Sequence, residues 1–228
     1  MNTPNPVAIR VWDAPLRLFH ALLALSFAGA WLTAESERWR TVHITLGLTM
    51  AGLVVFRLLW GVLGSRHARF ADFVRGPGAV AAYLRSIWQR RPEHHSGHNP
   101  AGGWVIVAML ALIGVTSALG WAAYSDFGGD TVAEGHEVAA TLMLGLVGVH
   151  LLGIVVSSVL HRENLARAMV TGRKAGDLGE DNGPPRRTVA VLLLAAVLGF
   201  WALQWQAAPL VPAPTVAARH QQPGDDDD

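Results

Sequence analysis

The sequence predicts an all-α integral membrane protein with five spanning helices. Three observations carry this. Only 15% of the 228 residues are charged, against roughly 25% in soluble domains. Mean hydropathy is positive, at +0.31. The apolar residues also fall in blocks close to the roughly 20 residues that a helix needs to cross a bilayer.

The first block is 16–34, "LRLFHALLALSFAGAWLTA", and the second is 43–63, "HITLGLTMAGLVVFRLLWGVL". The third, 104–124, is "WVIVAMLALIGVTSALGWAAY"; the fourth runs over 136–160; the fifth, 188–206, is "TVAVLLLAAVLGFWALQWQ". Tryptophans near several ends suit the interfacial belts of a membrane protein. The first block is too long for the apolar region of a signal peptide, and residues 1–15 lack a basic leader. It is read as a retained helix.

Charge sets the expected orientation. The 64–103 loop carries Arg66, Arg69, Arg75, Arg85, Arg90 and Arg91, and the 161–187 connection carries Arg162, Arg167, Arg173, Lys174, Arg186 and Arg187. The 125–135 loop instead carries Asp126, Asp130 and Glu134. By the positive-inside rule the N-terminus is cytoplasmic and the C-terminus periplasmic, in a bacterial inner membrane. Within the long inner loop, Pro77 opens a short helix with Val80, Tyr83, Leu84, Ile87 and Trp88 at amphipathic spacing, suited to the membrane surface. The tail "APLVPAPTVAARHQQPGDDDD" is read as disordered.

The net charge of +1 implies no nucleic-acid partner. The absence of cysteine excludes disulfides, Cys-ligated clusters and covalent c-type haem. Any metal here is held by His, Met or carboxylates, or arrives within a non-covalent cofactor.

Ten histidines occur, and depth separates them. His67, His94, His95, His98, His161 and His220 lie in polar contexts and are read as solvated or interfacial. His20, His43, His136 and His150 lie in or at the mouth of apolar helices, where polar side chains are costly and usually functional. His136 and His150 enclose "EVAATLMLGLVGV". Fourteen residues return to within about 40° of the same helix face, about 21 Å further along. With the orientation above, His20 and His150 share the inner level, while His43 and His136 share the outer one.

Two imidazoles from different helices at one depth are what bis-histidine haem ligation requires. Gly47, Gly145, Gly148 and Gly153 leave room for a flat macrocycle, or for close helix packing. Propionates need cations near the surface, and Arg10, Arg17, Arg57, Arg66 and Arg69 are available inside, Arg38 and Arg40 outside. Arg17, Arg57 and Arg69 are taken as the candidates. The third helix has no histidine and completes the bundle without ligating.

These features meet in a known pattern. "VWDAPLRLFH" (11–20), "RLLWG" (57–61), "SRHARFADFVRGP" (65–77), "GHNPAGG" (97–103), the His136/His150 spacing and "HRENLARAMVTGRK" (161–174) make the chain resemble bacterial cytochromes b561. That group includes the b-type cytochrome subunits of nickel–iron hydrogenases. The resemblance covers roughly residues 8–175. It implies a four-helix transmembrane bundle holding two b haems, with His20, His43, His136 and His150 as axial ligands; the fifth, C-terminal transmembrane helix and the acidic tail depart from the simplest family pattern and leave the partner's identity open. Residues 1–175 would form this domain, 176–187 a cytoplasmic linker, 188–206 the extra helix and 207–228 an outer tail.

The function expected is electron carriage between the quinone pool (ubiquinone or menaquinone) and an external partner. A periplasmic c-type cytochrome and a hydrogenase or other dehydrogenase subunit are the candidates. A superoxide:quinone oxidoreductase is the alternative, and would want a basic funnel at the outer face. A haem-free metal transporter ranks last, because the helices lack the intramembrane acids that ion pathways use.

Overall fold

A computed structural model describes residues 7–89 and 97–207. Arg90, Arg91, His94, His95, His220 and the acidic tail lie outside the described residues. Strand β1 (Val7–Arg10) precedes α1 (Ala14–Thr33) and α2 (Arg40–Leu63). A one-turn helix α3 (Phe70–Phe73) and α4 (Pro77–Trp88) follow, then α5 (Pro100–Tyr124) and α6 (Gly129–His161). A short α7 (Leu165–Thr171), strand β2 (Arg173–Gly176) and α8 (Arg187–Ala207) complete the order.

Helices α1, α2, α5, α6 and α8 are long and apolar enough to cross a membrane. They pack side by side: α8 lies on α1 and α2, α1 on α2, α2 on α5, and α5 on α6. One core joins all five through Leu16 and Phe19, Met50 and Leu53, Leu110 and Ile113, Met143, and Val197. The opposite faces expose Leu152, Val159, Leu192 and Leu203. On a soluble protein that surface would drive aggregation; here it is the surface suited to lipid. The fifth helix is fastened to the rest, since Trp201 Nε1 donates to Thr49 Oγ1 at 2.9 Å.

The helix starts depart from expectation for local reasons. α1 begins at Ala14, because Asp13 caps it and Pro15 sits in its first turn. α5 begins at Pro100, four residues before the expected 104, because Asn99 accepts the Gly102 amide at 2.7 Å and Pro100 fits the first helical position. α6 starts at Gly129, so Asp130 and Glu134 belong to its first turns and the 125–135 segment is mostly helix. His136 therefore sits about two turns inside its helix. Helix α4 appears over Pro77–Trp88 as expected, with Tyr83 buried against α6 at Ser157 and Leu84 and Trp88 exposed.

The arginine-rich end carries a structure that the sequence reading did not foresee. β1 and β2 pair antiparallel, with Val7 opposite Gly176 and Arg10 opposite Arg173. Gly172 caps α7 at φ +78°, and its carbonyl accepts the amides of Val11 and Trp12. A Cβ there would lie 2.7 Å from the Trp12 carbonyl oxygen, so only glycine fits.

Beside this clasp, Asp13 is fully buried. Its Oδ1 accepts the Leu16 amide at 3.0 Å; its Oδ2 accepts Trp60 Nε1 at 3.1 Å and Ser65 Oγ–H at 2.6 Å. Asn182 then donates to Ser65 Oγ and to the Val11 carbonyl. One carboxylate thus ties the start of α1 to the end of α2. Residues 176–187, read as a linker, contribute Asn182 to the same knot.

Candidate functional site

All four intramembrane histidines are half-buried in the bundle rather than lipid-exposed. At the acidic end, His43 of α2 and His136 of α6 face each other with ring centroids 6.1 Å apart and planes crossed at 83°. Each ring is held from behind. His43 Nδ1 donates to the Ala30 carbonyl at 2.8 Å, and His136 Nδ1 to the Thr116 carbonyl at 2.9 Å. A ring whose Nδ1–H is so used presents its Nε2 lone pair to a metal.

The spacing can be compared with a ligand pair. Two metal–nitrogen bonds of about 2.0 Å and two half-rings of about 1.1 Å sum to about 6.2 Å, as expected for imidazoles on opposite sides of one ion. The donor chemistry and spacing of this pair fit an axially ligated haem iron.

At the arginine-rich end, His20 of α1 and His150 of α6 lie within electrostatic reach of each other. Arg57 is the notable neighbour. It is only 2% exposed, lies 4.6 Å over the Phe70 ring, and its Nη1 has no hydrogen-bond partner among the described residues. Arg17 Nε is likewise buried without a partner, although its Nη2 donates to the Val170 carbonyl. Buried cations left half-satisfied are costly unless an anion completes them. A haem propionate has the chemistry to do so. Arg69 differs, since it is surface-lying with its Nε on Asp72 at 3.0 Å.

A Cβ added at Gly47, Gly145, Gly148 or Gly153 would meet nothing within 4 Å, so none of these glycines is closed against a neighbouring helix. Among the described residues, no three His, Cys, Asp or Glu side chains converge as a metal cluster.

One residue was misread from sequence. His98 was expected to be solvated, yet its ring packs 4.5 Å from Trp12 and 4.9 Å from Phe73, and its Nδ1 is buried without a partner. Burial first, then the positive field of Arg57 and neighbouring His150, Lys174 and His67, pushes its pKa down to about 3. It is neutral at physiological pH. The signal lay in "GHNP": Asn-Pro opens a helix, which draws the preceding residue toward the bundle instead of out into the loop. Another histidine of the same loop, His67, donates from its Nε2 to the Glu180 carbonyl at 2.8 Å.

Comparison with known proteins places these residues in context. A family model described as prokaryotic cytochrome b561 matches residues 11–172. A probable Ni/Fe-hydrogenase B-type cytochrome subunit of Azotobacter vinelandii is 26% identical over 212 aligned residues, covering 72% of this chain and 88% of the relative. A protein of the same description from Rhizobium leguminosarum bv. viciae is 22% identical, covering 73% and 89%. A heme A synthase of Sphingopyxis alaskensis is 29% identical over 73% of this chain but only 43% of its own length. No solved structure matches the chain.

Proposed function

The chain belongs to the prokaryotic cytochrome b561 family, and on that premise we propose a two-haem membrane cytochrome that carries electrons between the quinone pool and a redox partner outside the cytoplasm. Its relatives' descriptions support a membrane b-type cytochrome working in electron transfer, in the company of a hydrogenase. In this reading His43 with His136 would hold one haem and His20 with His150 the other, and Arg17 and Arg57 would balance propionate charge. The arginine-rich end is cytoplasmic and the acidic end periplasmic, by the distribution of basic residues.

The observation that carries the reading is the apposition of His43 and His136, each with Nδ1 already bonded to a carbonyl. Haem b, when bound, supplies a reversible one-electron couple. The chain's own work is positional. Two helices bring imidazoles to one depth, second-shell carbonyls hold the tautomer, and arginines balance propionate charge. A haem held by two imidazoles would supply electron transfer rather than oxygen chemistry, because both of its metal positions would be taken by this chain's side chains.

The partner is proposed as a periplasmic c-type cytochrome or a hydrogenase-like subunit, and the small-molecule partner as ubiquinone or menaquinone. The superoxide-oxidising alternative ranks second. Asp126, Asp130 and Glu134 are exposed at the acidic end, and among the described residues Arg38 and Arg40 are the cations that offset them. Superoxide-driven quinone reduction by the purified chain would reverse that ranking. A pyridine haemochrome assay of the purified protein should give two haems per chain, and the double variant His43→Ala/His150→Ala should give none. Two haems in that variant would refute the ligand assignment.

A further inference from the structure

Helix α5 carries no candidate ligand, yet it is shaped around one. Thr116 and Gly120 lie one turn apart on it. The Thr116 carbonyl accepts Nδ1–H of His136; in the regular helical pattern the same oxygen accepts the Gly120 amide. A Cβ built at Gly120 would lie 2.8 Å from Cε1 and 2.9 Å from Nδ1 of the His136 ring. No side chain could occupy position 120 without moving the imidazole. Gly114, on the same helix, has nothing within 4 Å of its Cβ position, so the closeness at Gly120 is specific to His136.

The opposite ring is held by a different device. Ala30 is among the last four residues of α1, whose carbonyls lack the usual helical donors. The Ala34 amide has turned to the Trp31 carbonyl at 3.4 Å. The Ala30 oxygen is therefore free for His43 Nδ1–H at 2.8 Å, while the Thr33 hydroxyl donates to the Gly29 carbonyl at 2.7 Å. A helix end orients one ring and a missing side chain the other, and the outcome is the 83° crossing.

We propose that Gly120 and Thr116 of α5 are positioning residues for the haem that His43 and His136 would hold: the absent side chain admits the edge of the His136 ring, and the carbonyl fixes its rotation across the plane of His43. The proposal rests on the ligand reading above. Its consequence is electronic. An axial imidazole donates preferentially into one of the two iron dπ orbitals. Parallel rings split those orbitals, whereas crossed rings leave them nearly equal, a difference visible as g-anisotropy of the ferric low-spin state. Second-shell contacts of this kind tune ligand basicity and potential.

The test uses the full-length, haem-loaded protein in detergent, with haem stoichiometry and low-temperature EPR as readouts. Wild type should show one large-gmax low-spin signal, and His136→Ala should lose that signal together with one haem. Gly120→Ala should shift or abolish the same signal while the second haem keeps its own, and Gly114→Ala should match wild type. Wild-type spectra from Gly120→Ala, the same change from Gly114→Ala, or two wild-type haems with no large-gmax signal would each overturn the proposal. Should Gly120→Ala fail to accumulate, the wild-type spectrum decides alone. Two haems retained in His136→Ala would instead sink the ligand assignment, leaving no ligand for α5 to position.

Discussion

The two ends of the bundle bring histidines together by opposite means. At the acidic end His43 and His136 are held by main-chain carbonyls and a missing side chain, with no ionised group bonded to either ring. At the arginine-rich end His20 and His150 lie within electrostatic reach of each other, and the same end of the bundle buries groups with formal charge: Arg57, Asp13 and the Lys174–Glu163 pair at 3.1 Å. Where helices pack in an apolar slab, backbone lone pairs are the affordable polar groups. Where chain segments meet at the boundary, buried charges can be kept, provided each finds a partner. The contrast teaches that one end should respond mainly to steric changes, and the other mainly to charge and pH.

The largest effect expected is selective loss of a haem. His43→Ala should remove one haem and leave the second with unchanged spectrum and potential; His20→Ala should do the reverse. Simultaneous loss in either single variant, read by pyridine haemochrome, would erase the distinction between the ends. Next in size is Asp13→Ala, which removes a helix cap and orphans the buried donors of Trp60 and Ser65. A cost of about 2–4 kcal/mol is expected in thermal unfolding of the detergent-solubilised protein. Arg57→Leu should lower the midpoint potential of one haem by tens of millivolts, a severalfold change in its equilibrium. A buried cation favours the more negative, reduced state. Potentiometric titration showing both haems moved equally would place Arg57 elsewhere in function.

A smaller effect separates the ends by pH. The His98 pKa is about 3 in the folded protein, against an unfolded value near 6.5. Between those values the unfolded chain binds the extra proton, so stability contributed by neutral His98 is complete above about pH 6.5 and is lost as pH falls towards 3. The slope is at most about 1.4 kcal/mol per pH unit. His98→Gln should flatten that limb when unfolding is followed from pH 7.5 to 4.5, and an unchanged slope would show that the ring is not kept neutral. Smallest is Trp201→Phe, which removes the hydrogen bond to Thr49 and should cost about 1 kcal/mol in the same assay.

Much of this was legible in the sequence, and the residues explain where legibility stopped. Apolar block length exposes the five helices, and depth along them sorts His20, His43, His136 and His150 into two levels. Helix starts were read late at 104 and 136 because Gly102 and Gly103, and Asp130 and Glu134, look like loop. Capping by Asn99 and solvent exposure of the acids overrode composition. The β1–β2 clasp was invisible. "VAIR" and "RKAG" are four residues each, without alternation, and their pairing is tertiary. His98 was missed because the polar letters around it conceal a ring turned inward, and Gly120 because a glycine in a membrane helix has many possible reasons.

The clasp has a consequence for how the protein is made. β1 is synthesised ahead of α1, but its partner emerges only at 173–176, after α1, α2, α5 and α6 have been made. Asn182, which completes the knot around Ser65 and Val11, comes later still. Until then the first strand has no ladder to join, and loop closure over more than 160 residues is slow compared with local helix formation. The lid over the arginine-rich end of the bundle therefore cannot shut until four of the five spanning helices have been made.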